Sequence, residues 1–181
     1  ESYKYLSKSI DSFNYKNVFS FRLAASDTKQ KLPLYISKDN RGDNRLYSTN
    51  QKRKSIIVEC LTIDELLKEN KIENLDLIKI DVQGYEPKVL KGMRKIVKSS
   101  KKLILLSEFW PKGILQAGEN PKEFLAMLRK MQFQLFELKR NGSLILLKPC
   151  DDNQFIKKYR GRKYTNITVS YTHLTLPTNA C

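Results

Sequence analysis

The segment LIKIDVQGYEPKVLKGM, residues 77–93, decides the fold. Its first six residues are nearly all apolar, which is typical of a strand in a sheet covered on both faces. Glu86 and Pro87 then begin a helix, because proline is favoured at the first helical position. Apolar residues continue at a spacing of three to four, with lysines on the opposite face. A strand that leads directly into a helix is the repeating unit of an α/β sheet.

The segments on either side continue this alternation. Apolar spacing and capping signals predict helices over residues 2–13, after Thr62 with Glu65, and after Asn120 with Pro121. β-rich runs predict strands over residues 18–25, 32–36, 55–61 and 103–107, and an antiparallel hairpin over residues 133–138 and 143–147. We therefore expect an α/β fold with a mostly parallel sheet. The chain begins with a helix, so the first strands of such a sheet are missing from it.

The composition excludes several classes of protein. The chain has 181 residues, 40% of them hydrophobic, which suits one domain with a core rather than a disordered tail. No apolar run approaches the roughly 20 residues of a membrane helix, and no signal peptide opens the chain. Three widely spaced cysteines and one histidine argue against a disulfide framework and a His-rich metal site. We expect a cytoplasmic protein without a membrane span.

The chain is strongly basic, with a formal net charge of +15 from 34 Lys and Arg against 19 Asp and Glu. Of these cations, 25 are Lys and 9 are Arg. Arg rather than Lys makes the bidentate contacts that read bases, so the excess of Lys favours a solvated surface over specific nucleic-acid recognition. The alternative is a basic module for RNA or another anionic polymer. It would show a continuous Lys/Arg face and affinity that falls steeply with salt.

The end of the chain differs in composition from the rest. Residues 166–181 contain no Lys, Arg, Asp or Glu. The part from residue 169 onward resembles a translated sequencing-adapter read, and the alternative is a Thr-rich edge strand with a tail. We exclude residues 169–181 from the predicted fold and treat residues 149–168 as a C-terminal extension.

Candidate chemistry lies at the carboxyl ends of the predicted strands, where open α/β sheets bind ligands. Asp81 ends one strand and Glu108 follows the next. An acid at the end of an apolar strand costs desolvation unless it has partners, so we favour function over a structural role for Asp81. Glu86 more simply caps the following helix, and Glu108 either lines a pocket or pairs with a surface lysine.

Other kinds of site have less support. Asp81, Glu86 and Glu108 offer three oxygen ligands without a histidine, which suits Mg²⁺ held partly through water at best. The seven glycines include no G-x-G pair, so there is no P-loop or dinucleotide fingerprint. We therefore expect no resident metal.

Two longer segments carry a resemblance to a known family. Residues 77–93 resemble the signature of FkbM-type methyltransferases, and LSEFWPKGILQAGENPKEFLAML, residues 106–128, is similar to a second block of one branch. Weaker similarity extends through LAASD (23–27), NRGDNRLY (40–47) and VECLTIDELL (58–67). The resemblance covers about residues 1–148, which we interpret as a partial methyltransferase domain.

The resemblance implies a Rossmann-like fold and S-adenosyl-L-methionine as methyl donor, with transfer to a hydroxyl oxygen of a sugar, glycolipid or secondary metabolite. The implied partner is therefore a small-molecule or glycan acceptor. It implies that Asp81 faces the transferred methyl group and orients or deprotonates the acceptor. Candidate acceptor-binding residues are Glu86, Glu108 and Gln83. The residues expected near the adenine are Ala25, Ser26 and Asp27.

The chain departs from the family pattern at its start. The glycine-rich turn for the methionine end of the cofactor, and the acid for its ribose, normally precede Glu1. We therefore expect this N-terminally truncated chain to bind S-adenosylmethionine weakly and to associate with itself through uncovered apolar surface. A non-catalytic relative or partner subunit stays open as an alternative to an enzyme.

Overall fold

Strands and helices alternate along a chain whose residues 2–40 and 42–171 are described by a computed structural model. The helices are α1 Ser2–Ser12, α2 Ile63–Glu69, α3 Glu86–Lys91, α4 Arg94–Ser99, α5 Pro111–Gln116, α6 Pro121–Lys130 and α7 Asp152–Lys158. The strands are β1 Ala24–Ala25, β2 Gln30–Tyr35, β3 Ser55–Leu61, β4 Leu77–Ile80, β5 Ile104–Phe109, β6 Phe133–Leu138, β7 Leu144–Leu146 and β8 Thr165–Tyr171.

The strands form two sheets, one of three strands in the order β1-β3-β2 and one of five in the order β4-β5-β8-β6-β7. The prediction of a mixed α/β fold is confirmed, but the prediction of a mostly parallel sheet is wrong for the described residues. Among their strand pairs, only β1 with β3 and β4 with β5 are parallel. The reason is that β8 runs antiparallel to both of its neighbours, β5 and β6. Strand β8 is the last strand along the described chain, yet it lies between β5 and β6 in the sheet.

Strand β8 includes residues that the sequence-based prediction excluded from the fold. Ile167 and Val169 have no exposed surface and Tyr171 is 6% exposed, so this strand lies in the core of the fold. The exclusion of residues 169–171 from the fold is therefore wrong. The sequence signal that this prediction missed is the alternation of Ile167, Val169 and Tyr171, which is typical of a half-buried strand. Residues 172–181 lie outside the described residues, and the division of the chain at residues 148 and 168 stays a prediction.

Three further boundaries differ from the sequence-based expectation. The predicted strand over residues 18–25 forms only at Ala24–Ala25, where it pairs with β3. The Lys-rich helix is interrupted at Gly92 and Met93, which separate α3 from α4. Strand β5 continues to Phe109, because β8 pairs with it as far as Thr165, so Glu108 lies inside the strand rather than after it.

The core lies between the five-stranded sheet and the helices α3 to α6. Its largest fully buried side chains include Leu90 on α3, Met93 between α3 and α4, Phe109 on β5, and Phe124 and Leu128 on α6. This packing fixes the carboxyl ends of β4 and β5 side by side, since the two strands pair in parallel register. The candidate site residues are placed by these two strand ends.

Part of the apolar surface is not covered within the described residues. Helix α1, which confirms the predicted helix, has no buried residue. Phe13 and Phe19 are exposed, as are Ile57 on β3 and Leu77 on β4. The predicted self-association stays a prediction. No helix of the described residues combines the length and the apolar composition that a membrane crossing needs.

Candidate active site

The loop between β4 and α3 is held in shape by the buried carboxylate of Glu86. Its Oε1 atom accepts hydrogen bonds from the backbone N–H groups of Val82, at 3.0 Å, and Gly84, at 3.2 Å. Two residues of the loop have left-handed backbones, Gln83 with φ 56° and Gly84 with φ 99°. Glu86 thus orders the loop that presents Gln83.

Glu86 itself does not face the cleft where an acceptor could bind. It is fully buried, and its Oε2 atom has no hydrogen-bond partner among the described residues. Burial raises the pKa of Glu86 to about 7, with a smaller contribution from the charge of Asp81. The structure places this predicted acceptor-binding residue beneath the loop instead, where it positions the loop backbone.

Asp81, Gln83 and Glu108 come together at the ends of β4 and β5. The Gln83 side-chain amide donates to Asp81 Oδ1 at 3.1 Å and to Glu108 Oε2 at 3.3 Å. Asp81 is more open to solvent, with 42% of its side chain exposed and Lys79 Nζ 3.2 Å from its Oδ2 atom. Three of the residues that the sequence singled out therefore form one connected group.

Glu108 is the carboxylate of this group with the most perturbed environment. It is 8% exposed, yet it lines the adjacent cleft. Burial raises the pKa of Glu108 to about 7, and the negative charges of Asp81 and Glu86 add to the shift. A carboxylate of this kind exchanges protons near neutral pH, which is a property of general acids and bases.

A cleft of about 780 Å³ opens beside Glu108 and Gln83. Its walls are polar and aromatic, and they come from distant parts of the sequence. The remaining lining residues are Asn40, Asp43, Arg45, Ser48, Thr49, Asn50, Gln51, Trp110, Lys112, Gln116, Arg162 and Tyr164. Many amide and hydroxyl groups next to aromatic rings suit a polyhydroxylated ligand.

Arg45 and Trp110 form one wall of the cleft, and the site analysis of the sequence did not assign either of them to it. The Arg45 guanidinium lies 4.8 Å from the Trp110 ring centroid and 2.7 Å from Asp43 Oδ1. Arg53 binds the other oxygen of Asp43, also at 2.7 Å. The available signal was the polar block of residues 40–47, which the sequence could align with a family but could not place beside β5.

Tyr47 connects this same block to the loop between β4 and α3. Its hydroxyl donates to the backbone carbonyl of Gln83 at 2.5 Å. Burial raises the pKa of Tyr47 to about 12, so the hydroxyl keeps its proton and remains a donor at neutral pH. Tyr47 therefore holds the backbone of Gln83, between the two N–H groups that Glu86 binds.

The predicted adenine-binding residues lie in a different cluster, after β1. Ser26 is fully buried, and its hydroxyl donates to Asp27 Oδ1 at 3.1 Å. Lys88 Nζ lies 3.2 Å from Asp27 Oδ2 and 3.4 Å from Glu119. Burial opposes ionisation of Asp27, but the hydrogen bond and charge of Lys88 still hold its pKa below the usual value. Ala25 is partly buried on β1.

The hypothesis of a metal held by three carboxylates has no geometric support. In residues 2–40 and 42–171, no group of three or more His, Cys, Asp or Glu side chains surrounds a common point. The Asp81 and Glu108 carboxylates are joined by the Gln83 amide instead, and Glu86 is turned toward the backbone.

Comparisons with known proteins identify the family to which the chain belongs. The family described as "Methyltransferase FkbM domain" matches residues 12–138, which include both β4 and β5. Hexuronic acid methyltransferase AglP of Haloferax volcanii is 26% identical over 94 residues, which are 51% of this chain and 36% of that protein. The match thus spans about a third of the curated relative's length, and no solved structure matches the chain. Because the family match covers well over half of the chain, this chain belongs to the FkbM methyltransferase family.

Proposed function

We propose that the protein transfers a methyl group from S-adenosylmethionine to a hydroxyl oxygen of a sugar, in the cleft beside Glu108. Membership of a methyltransferase family supports methyl transfer in general. The name of the relative AglP refers to a hexuronic acid, which makes an acidic sugar the first acceptor to test. The observation that carries the proposal is the contact of the Gln83 amide with two carboxylates, at the ends of adjacent parallel strands.

The described residues fit the acceptor side of such a reaction better than the donor side. The carboxylates of Asp81 and Glu108 can accept hydrogen bonds from an acceptor hydroxyl, to which S-adenosylmethionine would supply the methyl group of its sulfonium. In contrast, Asp27 is paired with Lys88 and Ser26 is buried, so these two residues present few unpaired groups to a nucleoside. The adenine-binding role of Ala25, Ser26 and Asp27 stays a prediction.

Within this proposal, Glu108 takes the proton of the acceptor hydroxyl, because it lines the cleft and its pKa lies near neutrality. Asp81 raises the basicity of Glu108 through its negative charge and orients the acceptor from the solvent side. Gln83 holds the two carboxylates near each other, because its amide donates a hydrogen bond to each of them. Trp110 and Tyr164 provide aromatic surface for a sugar ring, with Arg162 and Lys112 as cations for an acidic group.

The test is an assay of the chain, and of the longest reading frame that contains it, with S-adenosylmethionine and two matched acceptors. A glucuronide and the corresponding glucoside differ only in the carboxylate, and mass spectrometry detects the added methyl group. We expect methylation of the glucuronide and a loss of about 100-fold or more in Glu108→Gln.

The control is Glu59→Gln, because Glu59 is an exposed residue of β3 whose side chain is 67% accessible. It should retain the full rate. Absence of methylation in both proteins, or an equal loss of rate in the two variants, would overturn the proposal.

A further inference from the structure

A second cavity lies at the end of the five-stranded sheet opposite the proposed active site. The register of β5 and β8 shows this, because Glu108 pairs with Asn166 at one end and Ile104 with Ser170 at the other. The groove, about 610 Å³ in volume, opens near the second end, between α4, α6 and the last residue of β8. It is lined by Arg94, Val97, Lys98, Lys101, Met127, Lys130, Met131, Gln132 and Tyr171. Its function is therefore separate from that of the cleft.

The groove has cations on its rim and no acidic residue in its lining. The cations are Arg94, Lys98 and Lys101 on one side and Lys130 on the other. Within the described part of the chain, Arg94, Lys98 and Lys130 take part in no salt bridge, unlike Lys88 and Lys91 on α3. Asp64 approaches α4 from α2, but its carboxylate accepts from the backbone N–H groups of Lys95 and Ile96, both at 2.9 Å, and does not line the groove. Four cations and no acidic residue in the lining give the groove a positive potential that favours an anionic ligand.

The floor of the groove is apolar and adaptable. Met127 and Met131 are partly buried and pack against the core, while Val97 and Tyr171 close the bottom. The Tyr171 hydroxyl donates to the backbone carbonyl of Val97, so the tyrosine is turned inward. Methionine side chains are flexible and polarisable, and they accommodate apolar groups of varied shape. The ligand therefore combines negative charge with an apolar part.

These features distinguish between two anionic partners. Single-stranded nucleic acid is bound by aromatic faces and by Arg. The one aromatic residue of the groove lining, Tyr171, is only 6% exposed, and three of the four cations are Lys. Lys side chains beside apolar surface instead suit an anionic bilayer, where the stems contact the acyl boundary and the ammonium groups reach the phosphates. We propose that this groove docks the protein on a membrane surface rich in anionic phospholipid.

The experiment is co-sedimentation of the chain with vesicles of phosphatidylglycerol and phosphatidylcholine, compared with vesicles of phosphatidylcholine alone. The double variant Lys98→Glu/Lys130→Glu reverses two charges at the groove. The matched control, Lys16→Glu/Lys157→Glu, makes the same change of net charge at two exposed positions elsewhere. We expect binding only to the anionic vesicles, a loss of at least about tenfold in the groove variant, and a loss of less than about threefold in the control.

A second variant, Met127→Ser/Met131→Ser, tests the apolar floor. It should weaken binding most at high salt, where the electrostatic attraction is screened. Thermal melts of all three variants establish that each is folded. Equal losses in the groove variant and the control would show an effect of net charge alone and would overturn the proposal. So would equal binding to neutral vesicles, or tighter binding to a single-stranded RNA at the same ionic strength.

Discussion

The backbone at Gly84 runs against the backbone at Gly113, so that a Cβ atom at position 84 would lie 2.3 Å from the Gly113 carbonyl carbon. The first glycine belongs to the loop after β4, and the second to helix α5, which follows β5. This contact fixes the two strand ends relative to each other. It therefore sets the distance between Gln83, next to Gly84, and Glu108, at the end of β5.

The substitution Gly84→Ala should destabilise the fold by about 3 kcal/mol. The added Cβ collides with backbone, which cannot rotate away, and φ is +99°, where an L side chain is strained. Urea denaturation followed by circular dichroism measures the free energy of unfolding. The control is Gly142→Ala, where φ is +84° but nothing lies within 4 Å of the added atom. It should cost about 1 kcal/mol, and equal costs would contradict the role of the contact with Gly113.

Strand β8 should be required for stability as far as its last residues. Val169 is fully buried between β5 and β6, so Val169→Ala should lower the free energy of unfolding by about 2 kcal/mol. The matched control is Ile57→Ala on β3, because Ile57 is 68% exposed and should change stability by about 0.5 kcal/mol or less. A neutral effect of Val169→Ala would mean that residues from 169 onward do not belong to the fold.

The stability of the protein should depend on pH through Glu86. Its pKa is raised by burial from 4.5 to about 7 in the folded state, so the unfolded chain ionises first as the pH rises. The preferred protonation of Glu86 in the folded state stabilises the fold fully below about pH 4.5. As the pH rises from 4.5 to 7, the free energy of unfolding falls by on the order of 3 kcal/mol.

Replacement by glutamine, Glu86→Gln, removes this ionisation. The stability of the variant relative to the parent protein should therefore increase across the same pH range and level off above it. Denaturation series at pH 4, 6 and 8 provide the measurement. Glu59→Gln, at an exposed site, is the control, and a stability difference for Glu86→Gln that does not change with pH would rule out a raised pKa.

The pKa of Glu108 should respond to the two charged residues beside it, with opposite signs. The charge of Asp81 raises this pKa and that of Lys79 lowers it, although burial is the larger cause of the shift. We expect Asp81→Asn to lower the pKa of Glu108 from about 7 and Lys79→Gln to raise it. Carbon-13 NMR titration of the Glu carboxyl groups measures both, with Asp39→Asn as an exposed control. A value for Glu108 near 4.5 in the parent protein would remove the reason to assign it as the proton acceptor.

The sequence predicted the strand–loop–helix at its centre correctly because the signals are local. The capping box of Thr62 with Glu65 is present at the start of α2, and Asn120 caps α6 as expected. The hairpin of β6 and β7 also formed where turn residues separate two β-rich runs. These features depend on residues within a few positions of each other, so composition and spacing suffice to find them.

Two predictions are wrong for the same reason, namely the mostly parallel sheet and the end of β5 at Ser107. Both depend on which strands pair over long distances in the sequence. Strand β8 contacts β5, more than 50 positions earlier in the chain, and nothing in residues 165–171 indicates that partner or its direction. The same pairing extends β5 through Glu108 and makes this residue part of a strand. Neither local propensity nor alternation carries information about which strands become neighbours.

By itself, the sequence determined the family, the α/β class and the position of Asp81 directly after a strand. The expectation that this strand is covered on both faces is wrong, because β4 lies at the edge of its sheet and Leu77 is exposed. Only the tertiary structure decided that Glu86 turns inward while Glu108 faces the cleft, and that Arg45 and Trp110 meet there. The physical reason is that the sequence gives the type of an acidic residue but does not tell whether its carboxyl group is solvated or buried. Its chemistry is set by desolvation and by neighbouring charges, which the fold brings from distant parts of the chain.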